Sequence, residues 1–175
     1  MVENLLSVTR INEGTMNVAK SPEAAEEIIA EAISRIRKRF PNRKITVKVP
    51  EKLLFVPMDG TLIEQVLINL IENAIKHSAE DSLIEIELKK SGQNAIFEVI
   101  DNGKGIAKQD LPYLFESYVS SGKRSLDSSR GLGIGLSICM SIIKAHSGKM
   151  EAANKKTGGA IFRFTLPIEG SEYCE

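Results

Sequence analysis

Residues 69–77 read NLIENAIKH, and with Ile63–Ile68 before them they set the helical repeat from which the rest of the chain can be placed. Asn69, Asn73 and Lys76 stand at i, i+4 and i+7, so they fall in one narrow arc, flanked by Gln65 and Glu72. Around the cylinder from that stripe lie Ile63, Val66, Leu67, Leu70, Ile71 and Ala74, an apolar face that seats the helix on a core. Asparagine is a poor helix former because its amide competes for backbone hydrogen bonds, so two of them in mid-helix cost stability relative to alanine. Their placement points to a use other than folding.

The 175 residues suffice for one well-packed domain and are short for two. Lys plus Arg equals Asp plus Glu at 23 each, so no strong net field points to nucleic acid or an anionic membrane, and partners must be recognised locally. No apolar run approaches the roughly 20 residues that cross a bilayer, and no signal-peptide pattern follows Met1, so a soluble, cytoplasmic piece without membrane contact is expected. Cys139 falls in an apolar helical pattern and Cys174 near the end of the sequence, without metal-site or CxxC spacing, which fits a reducing compartment.

Working outward from the central helix, NLLSVTRINEG (4–14) carries apolar residues at Leu5, Leu6, Val8 and Ile11 and stops at Gly14, like a helix end with a glycine cap. SPEAAEEIIAEAISRIRKRF (21–40) predicts a helix opened by Ser21 as N-cap and Pro22 at the first position, with acids early and bases late. KITVKVP and LLFVP predict two strands before the central helix, and SLIEIELKK and NAIFEVID a hairpin after it. From Asn102 to Arg130 a long loop rich in Gly, Ser and charge is interrupted by one apolar island, LPYLFESYV. GLGIGLSICMSIIKAH then predicts an apolar helix, GKMEAANK a strand, and AIFRFTLP a last strand with Ala160, Phe162, Phe164 and Leu166 on one face. Strands and helices mix without regular βαβ alternation, so the expected class is α+β: a two-layer sandwich whose mixed sheet is covered on one face by helices.

Two glycine motifs flank the long loop. DNGKGI (101–106) follows a strand directly, so Asp101 stands at a strand end, and Gly103 and Gly105 permit close approach of a ligand. Alone, the same residues also read as a turn closing a hairpin. RGLGIGLSI (130–138) leads Gly131, Gly133 and Gly135 into a helix whose free N–H groups can hold phosphate, or equally forms a hinge that lets helix and sheet pack closely. Its GxGxG spacing is neither the dinucleotide fingerprint nor a P-loop. Combined with the asparagine stripe, these motifs supply what an ATP site with a divalent ion needs. An amide oxygen is a hard neutral ligand for Mg²⁺, an ammonium meets phosphate charge, and a carboxylate accepts from an exocyclic amine.

The combination resembles the GHKL or Bergerat-fold ATPases and, among them, the catalytic ATP-binding domain of sensor histidine kinases. IEQVLINLIENAIKHS is similar to the family's N box, DNGKGI to its G1 box, LFESY to its F box and GLGIGL to its G2 box, in the family's order. The resemblance implies a Bergerat sandwich with a long ATP lid over Ser120–Arg130. It implies Asn73 as the Mg²⁺ ligand, Asn69 and Lys76 as catalytic polar contacts on ATP, and Asp101 as the adenine anchor. His77 would stand beside the nucleotide; Gly103, Gly105, Ile106, Gly131, Leu132, Gly133, Ile134, Gly135 and Leu136 would shape the pocket; Phe115 and Tyr118 would anchor the lid; and Arg130 would reach phosphate. Lys123 and Arg124 read as solvated lid charges. Residues 1–14 are similar to the end of the second helix of the dimerisation domain, 15–170 would form the catalytic domain and 171–175 a tail. LLSVTRINEG, LIEQVLINLIENAIKHS and RGLGIGLSIC are most similar to the potassium-responsive, Kdp-type kinases, which implies potassium or osmotic sensing by a homodimeric parent.

Three departures bear on function. No phosphoacceptor pattern of the SHDLR kind is present, and neither His77 nor His146 fits one, so the γ-phosphoryl would pass to a histidine on a separate dimerisation domain and then to a response regulator. His146, before SGK at a helix end, reads as a capping or dipole-favourable residue. Leu132 replaces the hydroxyl residue often found between the first two G2 glycines. Asn69 stands where hydrolytic relatives carry a glutamate base, and an amide cannot take a proton from water; Glu72 is left as a residual candidate. Rival readings are a serine kinase of the same fold and a nucleotide-dependent interaction module without transfer activity. The chain by itself is expected to be mainly monomeric.

Overall fold

A computed structural model of the protein describes residues 18–115 and 132–168, with 132–134 as backbone only. Ser21–Ala24 forms β1 and Ala25–Arg39 α1; Lys44–Lys48 is β2, Phe55–Met58 β3 and Gly60–His77 α2. Leu83–Ser91 and Asn94–Ile100 are β4 and β5, Leu111–Tyr113 is a 3₁₀ turn, Leu132–Ala145 is α3, and Lys149–Asn154 and Ala160–Pro167 are β6 and β7. β1 and β3 form a small antiparallel pair, and the main sheet has the order β2-β4-β5-β7-β6, parallel only between β2 and β4. The expected two-layer α+β sandwich is therefore the observed architecture, with a five-stranded mixed sheet under three helices among the described residues.

Period-two patterning decides which sheet face is covered. Ile84, Ile86 and Leu88 of β4, Ala95, Phe97 and Val99 of β5, and Ala160, Phe162, Phe164 and Leu166 of β7 are all buried in one core. Phe97 and Phe164 are register partners, and their rings stack with centroids 4.5 Å apart. On the opposite face a charged row crosses four strands through the pairs Glu87↔Glu98, Glu98↔Arg163 and Glu151↔Arg163. Arg163 Nε donates to Glu98 at 2.6 Å and Lys89 reaches both Glu87 and Glu98 at 3.0 Å. Burial alone would push the Glu98 carboxyl up, but the hydrogen bonds from Lys89 and Arg163 together hold it below its ordinary value.

The apolar face of α2 falls as its repeat requires: Ile63, Val66, Leu67, Leu70, Ile71 and Ala74 are buried. Asp59 caps its start by accepting from the Leu62 N–H at 3.2 Å. α1 grips α2 with arginines four residues apart. Arg35 meets the buried Glu64 at 2.7 Å in a charge contact off the N–H axis, Arg39 pairs with Glu72, and Arg43 beyond the helix end donates to carbonyls of Ile75, Ser78 and Ala79. Arg43 thereby places a cation on carbonyls at the C-terminal end of α2, one in its last turn, one at the cap and one just beyond.

One expectation is corrected. Ser21 and Pro22 do not open α1; they lie in β1, paired with Met58 and Pro57, and the helix begins at Ala25 with Ala24 as an N-cap lacking a side-chain bond. Long-range contacts replace the local cap, since the Ala25 N–H donates to the Leu54 carbonyl at 2.9 Å and Glu26 accepts from the Leu54 N–H at 3.0 Å. His146 is corrected in part. It does cap α3, with Nδ1 on the Ile142 carbonyl at 2.8 Å, but Nε2 accepts from the Asp59 N–H at 3.0 Å, so the ring is neutral and no dipole-stabilised cation. No described helix is long and apolar enough to cross a membrane. The helix expected over 4–14, the lid over 120–130 and the tail over 171–175 lie outside the described residues.

Candidate functional site

The polar arc of α2 emerges where the helix ends. Asn69 and Asn73 are half-buried, Lys76 is exposed, and His77 is half-buried with Nε2 shut off from solvent and unpartnered among the described residues. Burial holds the His77 imidazole below its ordinary value, helped by the charges of Lys76 and Lys104 and opposed by Asp101. An enclosed ring nitrogen without a partner in a cationic setting is a position that a ligand group can satisfy.

Asp101 closes β5 and is 3% exposed. Its backbone N–H donates to the Ala160 carbonyl at 3.0 Å, and its Oδ1 accepts from Gly103 N–H at 2.7 Å and Ala160 N–H at 3.3 Å. Among the described residues its hydrogen bonds fall on Oδ1, which leaves Oδ2 with acceptor capacity for a ligand amine. Gly103 is demanded by a close approach: a β-carbon there would lie 2.1 Å from the His77 carbonyl oxygen. That contact brings the loop 101–106 against the C-terminal end of α2, so the DNGKGI and NLIENAIKH motifs, remote in sequence, meet in space.

Gly105 has φ +74°, and a β-carbon on it would stand 2.8 Å from Asn154 Oδ1. Asn154, at the end of β6, holds Ile106 at both backbone groups: Oδ1 accepts from its N–H at 2.7 Å and Nδ2 donates to its carbonyl at 2.7 Å. In the following turn, Lys155 donates to Asn102 Oδ1, and a β-carbon on Gly159 would lie 2.0 Å from the Asp101 carbonyl oxygen. Sequence reasoning missed Asn154, Lys155 and Gly159; the Gly158-Gly159 pair before the last strand was the available signal.

On α3, Gly135 is half-buried, and a β-carbon there would meet no described atom within 4 Å. Leu136 is fully buried in the core and supports the site from beneath. Asn69 Nδ2 donates to Cys139 Sγ at 3.6 Å, linking α2 to α3, and burial pushes that thiol up to about 12. Glu72 is engaged by Arg39 on the α1 side, so the residual base considered from the sequence is turned to a structural ion pair. Ile106 and Phe115 pack partly buried against the core. Leu132, Gly133 and Ile134 form the first turn of α3, described as backbone, while Tyr118, Lys123, Arg124, Arg130 and Gly131 lie outside the described residues. No cluster of three His, Cys, Asp or Glu side chains suited to a metal occurs among the described residues, so an ion held here would draw most of its ligands from phosphate and water.

Residues 58–170 match the histidine kinase-, DNA gyrase B-, and HSP90-like ATPase family, and the chain belongs to that family. Within it, the chain is a catalytic ATP-binding domain of the sensor histidine kinase type. It is 48% identical over 169 residues to the sensor protein KdpD of Clostridium acetobutylicum, covering 97% of this chain and 19% of the relative. It is also 36% identical over 175 residues to the sensor protein KdpD of Escherichia coli, covering 100% of this chain and 19% of that protein, so it spans about a fifth of these relatives. The catalytic domain of histidine kinase ThkA in a nucleotide-free form superposes with a TM-score of 0.73 at 27% identity over 87% of this chain and 97% of that one. ThkA in complex with the response regulator protein TrrA gives 0.76 at 26% identity over 95% of this chain and 48% of that one.

Proposed function

We propose that the chain binds Mg-ATP between the end of α2, the loop 101–106 and the entry of α3, and presents the γ-phosphoryl to a histidine carried by a dimerisation domain. The observation that carries this reading is the Gly103–His77 contact, which brings the loop that carries Asp101 against the end of α2, the helix of Asn69, Asn73 and Lys76. Asp101 Oδ2 accepts from the adenine amine, Asn73 is the side chain that would hold Mg²⁺, and Lys76 meets phosphate charge. Asn69 steadies α2 against α3 and acts next to Asn73. Gly103, Gly105, Ile106, Gly131, Leu132, Gly133, Ile134 and Gly135 shape the pocket over Leu136, with His77 beside the nucleotide, Phe115 and Tyr118 under the lid and Arg130 near the phosphates. The bound ion neutralises phosphate charge during transfer.

Transfer, rather than hydrolysis, is favoured because Asn69 occupies the position of a general base and Glu72 is tied to Arg39. Residues 1–14 would then continue the dimerisation helix, 15–170 form the catalytic domain and 171–175 a tail. Likeness to two KdpD proteins supports a Kdp-type parent on the cytoplasmic side of a membrane, and likeness to a kinase bound to TrrA supports relay to a response regulator. The domain alone is mainly monomeric, and its parent a homodimer.

Calorimetric titration of a non-hydrolysable ATP analogue with and without Mg²⁺, on the unmodified chain, Asn73→Ala and Asp101→Asn, tests the reading. Binding that weakens in both variants and loses its metal dependence in Asn73→Ala is expected; no binding by the unmodified chain at millimolar nucleotide rejects the site. Phosphoryl transfer to a separately supplied histidine-bearing dimerisation domain then separates a kinase from a binding-only module.

A further inference from the structure

We infer that the turn between β6 and β7, and Asn154 above all, determines selectivity for the adenine base, acting through the loop 101–106. The inference rests on the adenine-anchoring role proposed for Asp101 and names the residues that make that anchor selective. Three ties join this turn to the loop. Asn154 holds both backbone groups of Ile106 at 2.7 Å, Lys155 holds the Asn102 amide oxygen, and Gly159 is pressed against the Asp101 backbone. The Asn154 side chain thereby does what a neighbouring strand would do for a single residue, satisfying its donor and acceptor together.

Selectivity follows from geometry. Asp101 Oδ1 is committed to Gly103 and Ala160, so the direction of Oδ2 is fixed by the backbone to which Asp101 is bonded. A fixed carboxylate accepts from an amine and repels the carbonyl oxygen that guanine carries at the equivalent ring position, whereas a carboxylate free to turn discriminates less. Gly105, at φ +74°, hands the chain from Asp101 to Ile106, so releasing Ile106 releases the only end of this short loop not pinned by α2 or β5 among the described residues. None of the three ties is made to Asn73 or Lys76, so triphosphate and ion contacts are expected to survive their loss. Asn154 is thus a positioning residue, and its loss affects the base and spares the phosphates.

The test compares the unmodified chain with Asn154→Ala, Asn154→Asp and Lys155→Met, titrating ATP, GTP and inorganic tripolyphosphate with Mg²⁺ and recording the nucleotide-free thermal midpoint. Asn154→Ala is expected to raise the ATP dissociation constant about tenfold, the scale of a lost pair of neutral hydrogen bonds. GTP and tripolyphosphate affinities should stay within about twofold, so that the ATP-to-GTP ratio collapses. Asn154→Asp keeps the acceptor for the Ile106 N–H but loses the donor, and should fall between; Lys155→Met tests the second tie without touching Asn154. Unchanged ATP-to-GTP ratios in all three variants overturn the inference. So does parallel weakening of ATP and tripolyphosphate, which would mark the turn as a general scaffold. Failure of the unmodified chain to bind ATP overturns it together with the reading on which it rests, and is told apart because it needs no variant.

Discussion

The α-carbon hydrogen of Gly103 faces the carbonyl of His77 so closely that a β-carbon in its place would lie 2.1 Å from that oxygen. This single approach joins the end of α2 to the loop that carries Asp101, and backbone sets it, since a main-chain carbonyl at a helix end cannot swing aside as a flexible side chain can.

Gly103→Ala should therefore separate the two motifs. Stability is expected to drop by about 1–3 kcal/mol, as for overpacking in a closed site. ATP-analogue affinity should fall by more than the loss of folded protein explains. Urea unfolding and calorimetry on the same preparation check both; an alanine variant with native affinity would show that the contact can relax.

Arg43 supplies a second prediction. Replacing it with Met leaves the carbonyls of Ile75, Ser78 and Ala79 without their cationic donor. A loss of about 1–3 kcal/mol is expected from hydrogen bonds to a charged group, with partial recovery in Arg43→Lys. Hydrogen exchange of the last turn of α2 should accelerate in Arg43→Met and not in a surface control such as Lys108→Met.

His146 predicts a pH dependence. Burial holds its folded pKa below the ordinary 6.5, with help from Lys20 and against the Ile142 carbonyl and Asp59. The unfolded chain therefore takes up a proton first as pH falls. Stability is full above 6.5 and is lost progressively as pH drops below it towards the folded value. His77 is lowered too and adds a slope of the same sign. Denaturant midpoints between neutral and mildly acid pH should decline in the unmodified chain and decline less in His146→Gln; equal slopes would remove His146 as a source.

The Cys139 thiol, fully buried and pushed up to about 12, should be inert while the domain is folded. In a Cys174→Ser background, a thiol reagent at neutral pH should label it at the rate of global unfolding, and faster labelling would reveal local opening between α2 and α3.

The α2 face was legible because its apolar repeat is regular and its partner surfaces need only be apolar; every residue assigned to that face is buried. The strands of the hairpin and the inward face of β7 were legible for the same reason, with period two in place of 3.6. The start of α1 was not, because Ser21 and Pro22 carry good local cap signals that pairing with Met58 and Pro57 overrides. Of the candidate site, the approach of the Asp101–Gly103 loop to the end of α2 involves two segments that motif and spacing had already singled out. Asn154 could not be singled out so, since its partner Ile106 is 48 residues away and nothing in a single asparagine near a strand end announces a two-point hold on the backbone of a distant residue. Arg43 was hidden in the same way, as one basic residue among several after α1.

The place of β7 has a further consequence for how the domain is made. It is later in the chain than every other described strand, yet it fills an interior position between β5 and β6. During vectorial synthesis β5 therefore emerges with an open edge and waits while α3 and β6 are added, and β6 has no described sheet partner before β7 arrives. Asp101 itself lacks both of its bonds to Ala160 until then. A ribosome-bound chain stopped before Ala160 would already carry the asparagine stripe and both glycine motifs and still lack the strand that holds Asp101 in place, so the candidate site is completed in one late step and not motif by motif.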